Sequence, residues 1–170
     1  MSELDNTCLN IYCDHMQTDL QAELKQTRPF RSSLEELFVS LQRTAAVFEH
    51  ALECALKPSG VTATQYNVLR ILRGAGDQGL CRSEVGERMV RRVPDVTRLL
   101  DRLEDTGYIA RARGGDDRRY VTTRITPQGL EALSTIDTVV AAFLDAQVGH
   151  LTDDQRRTLI DLLSALRHKR

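Results

Sequence analysis

The run from Pro94 to Gly129, PDVTRLLDRLEDTGYIARARGGDDRRYVTTRITPQG, changes periodicity twice and so leaves few ways to fold. Val96, Leu99, Leu100 and Leu103 recur at helical spacing, with Pro94 read as the first helical residue and Gly107 as the stop. YIARAR and RYVTTRI then alternate as two short strands around a loop holding Gly114, Gly115, Asp116 and Asp117. Thr126 and Pro127 supply an N-cap and an N1 proline, which return the chain to helix.

Upstream, CRSEVGERM reads as a short helix and VRRV as a break. The order helix, turn, helix, hairpin is that of a winged helix-turn-helix. Further helices are marked by their starts. Ser33 with Glu36 makes a capping-box pattern before a helix that stops near Lys57. Thr62 with Gln65 opens a helix ended by Gly74 and Gly76. Thr152 with Gln155, and Asp153 and Asp154 in the first turn, begin a C-terminal helix whose last turn, Arg167-His168-Lys169-Arg170, is cationic as the helix dipole prefers. In the first thirty residues Leu9, Tyr12 or Cys13, Met16, Leu20 and Leu24 suggest one more helix, ending before Pro29. The expected fold is mainly α with a small β-hairpin wing. Residues 1–30 form an extension and 31–170 the domain, with the winged lobe at 62–126 flanked by helices in 31–60 and 127–170.

The 170 residues suit one domain, and 41% hydrophobic with 28% charged residues is globular composition. No run approaches the eighteen or so apolar residues of a membrane helix, and MSELDNTCLN has no secretion-signal pattern, so a cytoplasmic protein is expected. Cys8, Cys13, Cys54 and Cys81 are irregularly spaced and read as free thiols. Cys8, Cys13 and His15 lack the paired spacing of a zinc site, and neither metal nor cofactor is expected. No histidine is spaced with a nucleophile or carboxylate and no phosphate-cradling glycine loop is present, so no enzyme is expected. The net charge of −1 conceals a basic island: Arg88 to Arg124 holds ten arginines against six acids. A local excess on a slightly acidic body suits focused binding to one anionic partner.

An α-helix fits the major groove of double-stranded DNA and reads base edges near its N-terminus. Asp95, Thr97 and Arg98 stand there, with Arg91 and Arg92 in the preceding turn. Asp95 is more simply its own helix cap, and Arg98 has an ordinary alternative as a surface arginine paired with Asp101. In the hairpin, Arg118 and Arg119 suit a minor groove about 6 Å wide, with Asp117 placed to orient Arg119. A solvated charged turn is the common meaning of such a run; its place directly after a helix-turn-helix favours contact with DNA.

TRLLDRLE, the Gly-Tyr-Ile before the first strand, Asp-Arg-Arg in the loop and Ile-Thr-Pro-x-Gly at the next helix together resemble the heart of the MarR (multiple antibiotic resistance regulator) family. The likeness covers roughly residues 33 to 168. It implies a DNA-binding regulator that is a homodimer through its N- and C-terminal helices. It also matches Asp117 and Arg119 to the family's wing pair, and Arg92 through Arg98 to the turn and first recognition turn. Val90-Arg91 departs from it, since many members carry glycine in that turn. A dimer is supported independently by Leu159, Ile160, Leu162, Leu163 and Leu166 on a terminal helix and by the stripe Ile136, Val140, Leu144, Val148. Family members commonly answer to small aromatic or phenolic effectors, for which Phe48, Tyr66 and Arg70 are the pocket candidates. Cys13 and Cys54 are the candidates for a thiol-based redox switch, and a winged-helix module that binds protein rather than DNA is the remaining alternative.

Overall fold

The structure, a computed structural model, describes residues 20–113 and 121–168. Its helices are α1 (Leu20–Glu23), α2 (Ser33–Leu56), α3 (Ala63–Ala75), α4 (Arg82–Arg88), α5 (Val96–Asp105), α6 (Pro127–Val148) and α7 (Asp153–Arg167); strands β1 (Ile109–Arg113) and β2 (Val121–Ile125) lie between α5 and α6. The mainly α architecture with one hairpin is the expected one.

Most helix starts follow the local chemistry. Thr62 and Gln65 exchange hydrogen bonds at the head of α3, and Thr152 and Gln155 do so at α7. Thr126 caps α6 by accepting from the Gly129 N–H at 3.0 Å, and its hydroxyl donates to the Gly107 carbonyl at 2.7 Å. Two starts differ from expectation. Ser32, not Ser33, caps α2, accepting from the Glu35 N–H. Both serines precede a glutamate by three residues; Ser32 prevails because Glu35 also reaches back to the Arg31 N–H at 2.6 Å. Pro94 is not the first residue of α5, because Asp95 accepts the Arg98 N–H at 2.9 Å and so sets the start at Val96. Gly76 ends α3, while Gly74 lies inside it. Gly107, with φ of 76°, carries the chain out of α5 through the left-handed region that favours glycine. The long helix expected in the extension falls mostly outside the described residues; the described part is α1, tied to α2 by Glu23 and Arg43 at 2.6 Å.

β1 and β2 pair antiparallel from Ile109↔Ile125 to Arg113↔Val121. Leu80 adds a single bridge to Thr123, exchanging both backbone hydrogen bonds at 2.9 and 2.8 Å, so the hairpin is fastened to the segment between α3 and α4.

The core lies inside the winged lobe and the first half of α6. Leu69 and Leu72 of α3, Val85 of α4, Leu100 and Leu103 of α5, and Leu133 of α6 are almost wholly buried together. Within the expected stripe, Ile136 and Val140 belong to this core, but Leu144 is 48% exposed. α7 has no buried residue, and α2 buries only Leu56 although it runs 24 residues, about 36 Å. Leu34 and Phe38 near the start of α2 are 77% and 60% exposed, and Ile160 and Leu162 on α7 are 62% and 60% exposed. The long flanking helices therefore carry large apolar residues that remain exposed among the described residues. Among the described residues, no single helix is long and apolar enough to cross a membrane.

Candidate nucleic-acid interface

α4 and α5 form a helix-turn-helix whose packing leaves one face of α5 free. Leu100 and Leu103 are buried, and Val96 and Leu99 pack against the same core. Thr97 and Arg98, on the opposite side of the first turn, are exposed. The Asp95 carboxylate is engaged in capping, as the simpler reading of that residue expected. Arg98 is not paired with Asp101; among the described residues its side chain has no ion-pair partner, whereas Asp101 is bound by Arg111. The Thr97 hydroxyl accepts from Arg82 of α4 at 3.4 Å.

The turn between the helices needs no glycine. Met89 leaves α4 in an extended conformation with φ of −63° and ψ of 133°, and among the described residues Lys25 is the only non-glycine at positive φ. The Val90 N–H donates to the Asn67 side chain of α3 at 3.0 Å, and buried Met89 holds the turn from below. Arg91 pairs with Glu49 of α2 at 2.9 Å, although both are well exposed, so this pair contributes little stability. Arg92 is exposed and has no ion-pair partner among the described residues. Of the five candidates here, Arg92, Thr97 and Arg98 face solvent, Arg91 is shared with α2, and Asp95 is a cap. Asp117, Arg118 and Arg119 lie outside the described residues.

The base of the hairpin carries a cluster that sequence reasoning missed. Arg111 on β1 forks across two carboxylates of α5: its Nε donates to Glu104 Oε2 at 2.8 Å, Nη2 bonds the same oxygen, and Nη1 reaches Asp101 Oδ1 at 2.7 Å. The Arg111 backbone N–H also donates to Glu104 Oε1 at 3.0 Å. The guanidinium hydrogen bond holds the Glu104 carboxyl below the usual carboxylate range, against the opposing effect of burial. The available signal was the acid pair at i, i+3 on α5, followed after the Gly107 turn by an arginine on a strand. Beside this cluster an open cleft of about 410 Å³ separates α4 and α5 from the hairpin, lined in part by Arg82, Thr97, Arg111 and Val121.

Of the expected effector trio, Tyr66 and Arg70 are in direct contact. Arg70 stacks on Tyr66, its Cζ 5.6 Å from the ring centroid, but Phe48 packs edge-to-face on Phe143 of α6 at 6.4 Å. Tyr66 donates to Asp137 of α6 at 3.1 Å, and Asp137 also binds Arg73. Burial raises the Tyr66 pKa, while the Arg73 hydrogen bond lowers that of Asp137. Of the redox candidates, Cys54 is half-buried with its Sγ 3.7 Å from His50 Nε2, at the edge of an open hollow of about 350 Å³; Cys13 lies outside the described residues.

The sequence profile of the MarR family matches residues 61–121, the stretch holding α3 through the start of β2. The HTH-type transcriptional regulator TtmR of Methylorubrum extorquens is 32% identical over 135 residues, which is 78% of this chain and 66% of TtmR. A crystal structure of a MarR transcription factor from Planctomyces limnophilus superposes with a TM-score of 0.63 at 33% identity, covering 80% of this chain and 98% of that one. Sco3205 of Streptomyces coelicolor, a MarR family transcriptional regulator solved in complex with DNA, shares the fold with a TM-score of 0.69 at 22% identity, covering 84% and 91% of the two chains. At 33% identity to the Planctomyces protein over nearly that chain's whole length, and with the family's profile matched across its helix-turn-helix, this chain belongs to the MarR family.

Proposed function

We propose that the chain is a cytoplasmic, sequence-specific DNA-binding transcriptional regulator, acting as a homodimer whose affinity for DNA is lowered by a small aromatic or phenolic effector. One observation carries the DNA reading. The first turn of α5 presents Thr97 and Arg98 to solvent beside Arg92, while the other face of the helix is wholly committed to the core. The DNA complex of Sco3205, which has the same fold, supports it. The dimer reading rests on the uncovered apolar residues of α2 and α7. Two-fold symmetry then sets two recognition helices about one DNA turn, roughly 34–36 Å, apart, and the target is palindromic. Arg118 and Arg119 serve the minor groove, and Phe48, Tyr66 and Arg70 are the candidates for the effector.

Binding to a duplex selected from random oligonucleotides, compared with a scrambled duplex across a salt series, tests this. Arg98→Ala should relax discrimination at one base position per half-site by about 1–3 kcal/mol. Arg119→Ala should weaken both duplexes alike and lower the salt slope by about one unit for each phosphate that is no longer neutralised. Absent or salt-insensitive binding by the wild-type chain would overturn the proposal and favour a protein-interaction module.

A further inference from the structure

Asp101 and Glu104 place two carboxylates on the recognition helix of a lobe whose proposed partner is a polyanion. This inference rests on the DNA-binding reading. Repulsion between those carboxylates and phosphate weakens binding, so their presence needs an offsetting role. The geometry supplies one. Both are engaged by Arg111, which is only 26% exposed at its side chain and turns all three guanidinium nitrogens toward Glu104 and Asp101. The planar guanidinium bonds Glu104 through two of its nitrogens and Asp101 through the third, and the Arg111 backbone N–H adds a third tie to Glu104. An ammonium has no such fork.

The place of Arg111 in the sheet matters as much as its charge. It is the central residue of β1, in register with Thr123. Thr123 is buried and exchanges two backbone hydrogen bonds with Leu80. The fork thus joins α5 to the point where β1, β2 and the Leu80 segment meet. A rotation about that point carries the far ends of β1 and β2 with it, each residue of strand adding about 3.3 Å to the lever.

We propose that Arg111 is a positioning residue for DNA recognition: forked across Glu104 and Asp101, it sets the wing against the recognition helix and does not itself bind phosphate. The two α5 carboxylates are retained for that geometry, against their electrostatic cost.

The sign of one substitution separates this from plain electrostatics. Glu104→Gln, Asp101→Asn and Arg111→Lys are made in the full chain and compared with wild type on selected and scrambled duplexes, at a temperature where circular dichroism shows each variant folded. If the carboxylates are only surface charges, removing one strengthens binding to both duplexes. If they position the wing, Glu104→Gln weakens the selected duplex by about tenfold while leaving the scrambled one unchanged or slightly tighter. Arg111→Lys, which keeps the charge and removes the fork, should reduce specific binding as Glu104→Gln does. Asp101→Asn, at a half-exposed site, gives the same readout should Glu104→Gln not fold. Tighter selected binding by the carboxamide variants, or wild-type behaviour of Arg111→Lys, overturns the proposal. A wild-type chain that does not distinguish the two duplexes overturns the DNA-binding reading itself, which is a different result.

Discussion

Replacing Gly129 by alanine should destabilise the protein even though helix propensity says the opposite. Gly129 is the third residue of α6, where glycine is less favourable than alanine by about 1 kcal/mol. A Cβ added there would stand 2.1 Å from the Tyr108 carbonyl oxygen and 2.9 Å from Ile125 Cγ1. The first neighbour is backbone, so no rotamer change relieves the clash. Either α6 lifts from the hairpin or the Tyr108 carbonyl moves, and that carbonyl accepts the Thr126 N–H at 3.0 Å. Overpacking of this kind costs about 1–3 kcal/mol, and breaking the hydrogen bond about 1 kcal/mol more. After the propensity gain, the net loss is about 1–3 kcal/mol, or roughly 2–12 °C in Tm for a domain of this size. Gly74 is the matched control. It lies exposed within α3, a Cβ there meets nothing within 4 Å, and its φ is not positive. Gly74→Ala should therefore stabilise the protein by about 0.4–1 kcal/mol. Thermal and urea unfolding followed by circular dichroism, at one protein concentration because a dimer's Tm depends on it, measures both. If Gly129→Ala is as stable as Gly74→Ala, the close approach of α6 to Tyr108 is wrong.

Two other outcomes follow from the flanking helices and the α3–α6 junction. Replacing Ile160 and Leu162 together by glutamate removes apolar side chains that contribute about 1.5–3 kcal/mol each when buried; sedimentation at micromolar concentration should show a folded monomer, and a persistent dimer would place the interface elsewhere. Asp137 has a folded pKa below its unfolded value of about 3.9, so its contribution is present above that value and lost as pH falls through the depressed one. The stability difference between wild type and Asp137→Asn should then shrink steadily as pH is lowered from about 5 into that range, and a constant gap would show that Asp137 is not held by Arg73 and Tyr66. Tyr66 behaves in the opposite sense, its raised pKa making its contribution complete below about pH 10 and lost as pH rises further.

What the sequence alone determined was whatever is decided within a turn or two of chain. Thr62, Thr126 and Thr152 cap the helices they were expected to cap, Gly107 stops α5, and the leucines of α5 face the core. Each of these is an interaction between residues three or four apart, or a backbone preference of a single residue. Even at this range one ambiguity survived, because Ser32 and Ser33 both sit three residues before a glutamate. The glycine of the Ile-Thr-Pro-x-Gly motif was legible as a feature of the helix start, but its reason was not: Gly129 is small because the Tyr108 carbonyl passes over it. The candidate interface was legible as a set of residue types near a helix N-terminus. Which of them are free was settled only by partners far along the chain, Glu49 for Arg91 at 42 residues and Asn67 for the Val90 amide at 23. The partner of the Tyr66 hydroxyl, Asp137, lies 71 residues away, a distance at which no sequence pattern pairs them. Arg111 is the nearest such case, seven residues from Glu104, yet those seven include the end of a helix, a left-handed glycine and the start of a strand. Side-chain direction after such a reversal depends on how the strand packs against the helix, and only the folded chain specifies that.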